Sequence, residues 1–292
     1  MVHDVEDAVE APPEPVAAGS RRREVAAESA RSLLLTVLGE FVYPRRAPVW
    51  TAVLVEALGL LGVEEKSARQ ALARTAGEGL LEPSRHGRRA QWSLTPTGSR
   101  LLADGTQRIY GFLRDEKPWD GRWLVLSVAI PETQRKLRHR LRTRLTWAGL
   151  GSPAPGLWVV PDATKEPEIA AVIAELGVSE HAYAWVGPTA PFADERRLVS
   201  EAWSLDDVEA RYSDFTARFS ALTPVDDTEA FAQQVRLIQE WRRFPFLDPA
   251  LPAALLDHAW PGTAAADTFH RQHDAWHPAA QRRWEKLATC PR

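Results

Sequence analysis

Apolar positions recur at helical spacing through the first third of the chain. Ala30, Leu33, Leu34, Val37, Leu38 and Phe41 fall at i, +3, +4, +7, +8 and +11, one face of a helix that Pro44 ends. Pro48 suits the first turn of a second helix, in which Trp50, Val53, Leu54, Ala57, Leu58 and Leu61 repeat that spacing before Gly62 stops it. A third segment keeps only small residues on its inner line, Ala68, Ala71, Leu72, Thr75 and Ala76, so it can lie close against two earlier helices. Its other face carries Lys66, Ser67, Arg69, Gln70 and Arg74, donors that reach outward, and Gly79 supplies the stop. Leu80 to Ser84 then reads as a strand, His86-Gly87 as a tight turn, and Arg88 to Leu94 as a returning strand with Trp92 and Leu94 on one face. Three helices followed by a hairpin is the order of a winged helix-turn-helix, expected over residues 28–105.

The middle of the chain changes period. Trp123, Val125, Ser127 and Ala129 alternate with Leu124, Leu126, Val128 and Ile130, a strand apolar on both faces and therefore internal. Thr133 to Ala148 reads as a helix, GLGSPAPG as a loop, LWVVP as a strand, the segment opened by Pro167 as a helix and HAYAWVG as a closing strand. Strand, helix, strands, helix, strand predicts a ferredoxin-like α/β sandwich within residues 106–190. From Leu205 the period is helical again. Leu205, Val208, Tyr212, Phe215, Phe219 and Leu222 form a seam for a helix of this chain or of a second copy. Phe231, Val235, Ile238 and Trp241 line the next helix, and a final one carries Phe269, His273 and Trp276, giving a helical segment over 191–292. The expected class is α+β, with a disordered tail at 1–27 whose acidic, Pro/Ala-rich composition cannot build a core.

Composition adds limits. At 292 residues and 45% hydrophobic, the chain can bury a sizeable core and is long enough for two or three domains. No apolar run approaches the roughly 18 residues of a membrane span, and the N-terminus has no apolar signal region. One cysteine, Cys290, excludes an internal disulfide and fits a reducing cytoplasm.

A net charge of −3 does not suggest nucleic acid, but the distribution does. The stretch from Lys66 to Arg89 holds six basic and two acidic side chains, and Arg85, Arg88 and Arg89 crowd the hairpin tip. Screening over about 8–10 Å leaves distant acids little influence on such a stripe. A solvated surface is the plain alternative. It is also the plain reading of Arg21, Arg22 and Arg23 in the tail, and of Arg135, Lys136, Arg138, His139, Arg140, Arg142 and Arg144 beyond Glu132.

Enzyme constellations are missing: there is no phosphate-binding glycine loop and no cysteine placed as a nucleophile, so no catalytic residue is assigned. His270, His273 and His277 share a helix face at metal-compatible spacing, but no thiolate joins them, and no metal or other cofactor is expected. WRRFPFLDP packs Trp241, Arg242, Arg243 and Phe244 beside prolines, with Trp260, Phe269 and His273 to follow. These are candidates for a pocket with cationic and aromatic walls; the alternative is a structural corner in which Arg242 or Arg243 pairs with Asp248.

The whole order resembles the PaaX family, repressors of phenylacetic acid catabolism. The matching pieces include SARSLLLTVLGEFV, SARQALARTAGEGLL, RHGRRAQWSLTPTG, WDGRWLVLSVAIPE, PGLWVVPDA, AWSLDDVEARYSDF and EWRRFPFLDPALPAALLDHAWPG, spanning about residues 28–285. The resemblance implies a dimeric repressor on double-stranded operator DNA, released by an aryl-CoA thioester such as phenylacetyl-CoA. The middle segment is similar in fold to small endoribonucleases of CRISPR spacer acquisition, which carry an acid in their first strand. Here that strand offers Ser127 and no acid before Glu132. A metal-dependent nucleic-acid-processing enzyme is the alternative reading.

Overall fold

The computed structural model describes residues 30–114 and 118–289. The tail at 1–27, its Arg21–Arg23 run and Cys290 lie outside the described residues. Helix α1 spans 30–37 and runs on through a π-helical turn, Leu38–Val42, and a 3-10 turn, Tyr43–Arg45, that Pro44 opens. Strand β1 (Val49–Trp50) precedes α2 (Thr51–Gly59) and α3 (Glu65–Gly77). The wing follows as β2 (Leu81–His86) and β3 (Arg89–Leu94), and the three strands form a sheet in the order β1-β3-β2.

One expectation needs correction here. Pro48 does not begin a helix: Val49 pairs with Trp92 and Trp50 with Gln91, because the wing captures this extended segment as its third strand. The boundary expected at 105 falls inside a helix. Helix α4 (Pro96–Gly111) runs through that position, started by Pro96 and by Thr95, whose hydroxyl accepts from Gly98 N at 3.0 Å and donates to Gly79 O at 2.6 Å. Gly98 is required, since a Cβ there would run into the Leu80 carbonyl.

The middle unit has the ferredoxin-like order. Strand β4 (Arg122–Val128), α5 (Arg135–Trp147), β5 (Gly151–Ala154), β6 (Leu157–Val160), α6 (Glu166–Glu175) and β7 (Ala182–Pro188) give an antiparallel sheet β5-β6-β4-β7. β4 is internal, as its double-faced pattern demands. The stretch GLGSPAPG, expected to be a loop, contributes the edge strand β5. Its Pro153 is tolerated because an edge leaves one side unpaired, and Gly151 lets Trp203 lie against the strand. Helices α5 and α6 cover one sheet face through Leu141, Leu145, Ile169, Val172 and Ile173, packed on Leu124, Leu126 and Val128. Trp123, Val159, Val199, Leu251 and Leu255 fill the other.

Helices α7 (Glu195–Ala202), α8 (Asp206–Phe219), α9 (Asp227–Trp241), the short α10 (Phe244–Leu247) and α11 (Gly262–Thr289) complete the chain. The seam on α8 is consumed internally. Val208, Tyr212, Phe215 and Phe219 are buried against Leu237, Ile238, Trp241 and Phe269 of α9 and α11, so they offer no surface to a second copy. The outer ends of α9 and α11 do something the apolar pattern did not announce. Phe231, Val235, Ala280, Trp284 and Leu287 enter the core of the winged unit, with Phe41 stacked 5.3 Å from Trp284 and tilted against Phe231 at 4.8 Å. Among the described residues no helix is long and apolar enough to cross a membrane.

Candidate nucleic-acid interface and interdomain polar cluster

Helix α3 buries Ala68, Ala71, Leu72 and Thr75 and turns Lys66, Arg69, Gln70 and Arg74 to solvent, with Ser67 half-buried at the border. Arg69 is held by Glu65 one turn earlier at 2.8 Å. Exposed i,i+4 pairs of this kind contribute about 0.3–0.5 kcal/mol, so Arg69 can leave Glu65 for a stronger acceptor. Lys66, Arg74, Arg85, Arg88 and Arg89 make no ion pair among the described residues. The wing turns through Gly87-Arg88, and only Gly87 has positive φ (64°), as a two-residue II′ hairpin requires. Its base is anchored: Trp92 Nε1 donates to Thr51 Oγ1 at 2.9 Å, and that hydroxyl donates to Ala90 O at 3.0 Å. The wing is thereby tied to the start of α2, with its cations outward.

The residues of WRRFPFLDP do not form one pocket. Trp241, Phe244 and Phe269 are within the core, Trp241 stacked on Phe269 at 4.9 Å, and Trp260 meets Tyr212 edge-on at 5.9 Å. The two arginines diverge. Arg242 reaches α1, donating to Thr36 Oγ1 at 3.0 Å and Ser32 O at 3.3 Å; burial, then Arg243 and Arg31, lower its pKa. Arg243 pairs with Glu240 at 3.1 Å and lines a groove of about 220 Å³ with Phe244, Arg211, Arg218 and Leu247. Neither arginine meets Asp248. That carboxylate accepts from Tyr212 at 2.5 Å and from Ala250 N at 2.7 Å, and burial raises its pKa despite both bonds.

His273 lies elsewhere, in a cluster built by four helices. Glu40 sits in the π turn of α1, enclosed by α4, α9 and α11 and buried to 8% exposure. Its Oε1 meets Gln234 Nε2 at 2.6 Å, His273 Nε2 at 3.0 Å and His277 Nδ1 at 3.1 Å, while Tyr110 of α4 donates to Oε2. Burial alone would raise the Glu40 pKa, but hydrogen bonds from His273, His277 and Tyr110 and the charge of His273 hold it well below the carboxylate range. Burial would lower His273, yet Glu40 and then Asp274 raise it on balance. His270, grouped with these histidines by spacing, points away: its pKa is lowered by burial and by Arg114, and its Nε2 has no partner. Glu40, Tyr110 and Gln234 carried no sequence signal beyond one acid at the border of an apolar stripe.

An exposed basic α3 and wing, a ferredoxin-like centre and a helical segment clasped onto the first domain define a winged-helix chain of three fused parts. Known proteins match each part. Residues 29–98 match the PaaX-like protein family, 116–199 the PaaX protein central Cas2-like domain and 203–286 the PaaX-like protein C-terminal domain. The Transcriptional repressor PaaX of Escherichia coli (strain K12) is 31% identical over 264 residues, covering 86% of this chain and 82% of that protein. The chain belongs to the PaaX family. An uncharacterized protein from Mycobacterium tuberculosis shares the fold at a TM-score of 0.60 and 21% identity, covering 85% of this chain and 97% of that one.

Proposed function

We propose that this chain is a cytoplasmic, DNA-binding transcriptional repressor. The observation that carries the reading is the set of outward cations free of acidic partners on α3 and the wing, joined there by Gln70. A bidentate Arg69 or Gln70 suits a guanine or adenine edge in the major groove, and Arg85, Arg88 and Arg89 suit phosphates. The kinship to a protein named as a transcriptional repressor supports the same reading. Binding to duplex DNA, followed across salt concentrations, tests it. Each phosphate contact contributes roughly 0.9 to the slope of log affinity on log salt. Arg88→Ala with Arg89→Ala should flatten that slope and weaken all sequences alike; an unchanged slope removes the wing from the interface.

The finer reading is that the controlled genes serve catabolism of an aromatic acid of the phenylacetate type, and that an aryl-CoA such as phenylacetyl-CoA releases the repressor. Arg211, Arg218 and Arg243 beside Phe244 supply cationic and aromatic walls, with Asp214 and Glu240 in the same lining and Glu240 paired to Arg218 and Arg243. At about 220 Å³ the groove is smaller than a pocket for a whole ligand of that size, about 300–1,000 Å³, so it would hold one end only. Calorimetry with phenylacetyl-CoA, free CoA and phenylacetate, on wild type and Arg243→Ala, separates the ends. Unchanged affinity in the variant would exclude this groove.

A homodimer follows from the same reading, since one winged unit makes few base contacts and specific sites usually pair two half-sites about 10 bp apart. A monomer by sedimentation at micromolar concentration, protecting a single half-site, would contradict it.

A further inference from the structure

We propose that Glu40, His273 and His277 hold a divalent transition-metal ion, with Zn2+ the best suited, and that the ion clips α1 to α11. The three ligand atoms come from segments more than 230 residues apart and lie within 4.8 Å of one another. Tetrahedral zinc, with bonds of about 2.0–2.1 Å, sets its ligand atoms about 3.3–3.4 Å apart. Glu40 Oε1 is already 3.0 and 3.1 Å from the two imidazole nitrogens, so a small outward adjustment opens the cage. Two imidazoles and a carboxylate suit a borderline cation and disfavour Mg2+ or Ca2+, which take oxygen ligands.

The surroundings match what a bound ion requires. His273 and His277 are four residues apart on α11, hence on one face. The far nitrogen of His273 faces the Asp274 carboxylate at 3.5 Å, and the second oxygen of Glu40 accepts from Tyr110; partners of both kinds orient metal ligands. The cluster without an ion also carries a conflict. Gln234 Nε2, a donor, lies 3.1 Å from His277 Nδ1 and 3.4 Å from His273 Nε2, the nitrogens that must themselves donate to Glu40. Its own carbonyl oxygen is buried without a partner. An ion removes the donor crowding, and a turned Gln234 amide could then present its oxygen as a fourth ligand. His277, half-exposed, leaves a path from solvent.

The test uses untagged full-length protein stripped with a chelator, then titrated with Zn2+ and, for its visible bands, Co2+. One ion per chain, a rise in Tm on adding Zn2+ and no response to Mg2+ are expected. His277→Ala, at the exposed ligand, should weaken Zn2+ binding by at least about 10-fold, and His270→Ala should leave it unchanged. Glu40→Gln gives a second check, with folding read by circular dichroism. Absence of stoichiometric binding, or binding that neither His277→Ala nor Glu40→Gln alters, would overturn the proposal. These readouts do not depend on DNA or on an acyl-CoA, so their failure is separate from failure of the repressor reading.

Discussion

Leu141 and Leu145 of the middle unit find their buried apolar neighbours between Leu124 and Val186. Phe41 of the winged unit instead packs on Phe231 and Trp284, 190 and 243 residues further along. The helix-covered face of the middle sheet is thus built from its own segment, whereas the core of the winged unit is completed by the last helices of the chain. The difference teaches where a signal can travel. A displacement of α9 or α11 would reach α1 directly, and α2 and α3 through the shared core. The middle unit has no buried residue in that core.

The sharpest way to break this comparison is to empty one core and watch the other. Trp284→Ala should cost about 3–5 kcal/mol, as large-to-small changes at fully buried aromatics do, and should loosen amide protection in α1–α3. Leu145→Ala should cost about 2–5 kcal/mol while leaving that protection in place. Equal loosening of α1–α3 by both variants would mean that the cores are not separate.

A second effect of similar direction is expected at the polar join. Glu40→Ala strips the acceptor from Tyr110, Gln234 and His273 at once, and breaking a buried charged pair typically costs about 3 kcal/mol or more. Denaturant unfolding measures it; a cost within 0.5 kcal/mol (roughly that of an ordinary surface change) would mean the join carries no stability.

The same contrast explains what could be read from the sequence. The ferredoxin-like unit was legible because alternation in β4 and the periods of α5 and α6 all point to one local core. Its edge strand β5 was not, because Gly-Ser-Pro-Ala shows no alternation and is held by Trp203 instead. In the winged unit, α1, α3 and the wing were legible from stripe, stop and turn. The clasp was not: Phe231 and Trp284 read simply as apolar positions, and nothing in a linear pattern names their partner. The cationic surface was visible as a charge cluster, while nothing in the linear pattern showed that α4, α9 and α11 would enclose Glu40. The residues expected to share one pocket at Trp241–Phe244 are divided for a related reason. Two adjacent arginines at the end of a helix point to different sides, one to α1 and one to the α8 groove.

Smaller effects sharpen the DNA-reading side. Gln70→Ala should cost about 1–3 kcal/mol on a specific site and relax preference at one base position, without altering stability. Trp92→Phe removes the hydrogen bond to Thr51, about 1 kcal/mol of stability, and should leave sequence preference intact. Anisotropy titrations and thermal unfolding separate the two; a Trp92→Phe variant with altered sequence preference would mean the wing base itself reads DNA.

The most direct test is selection of duplex sequences from a random pool by the purified full-length chain. The expected result is an enriched two-fold site with half-sites about 10 bp apart, whose sequence persists with Arg88→Ala and Arg89→Ala but loses one position per half-site with Gln70→Ala. A pool that shows no enrichment, or the same enriched site from wild type and from Gln70→Ala, would contradict the assignment of α3 as the base-reading helix.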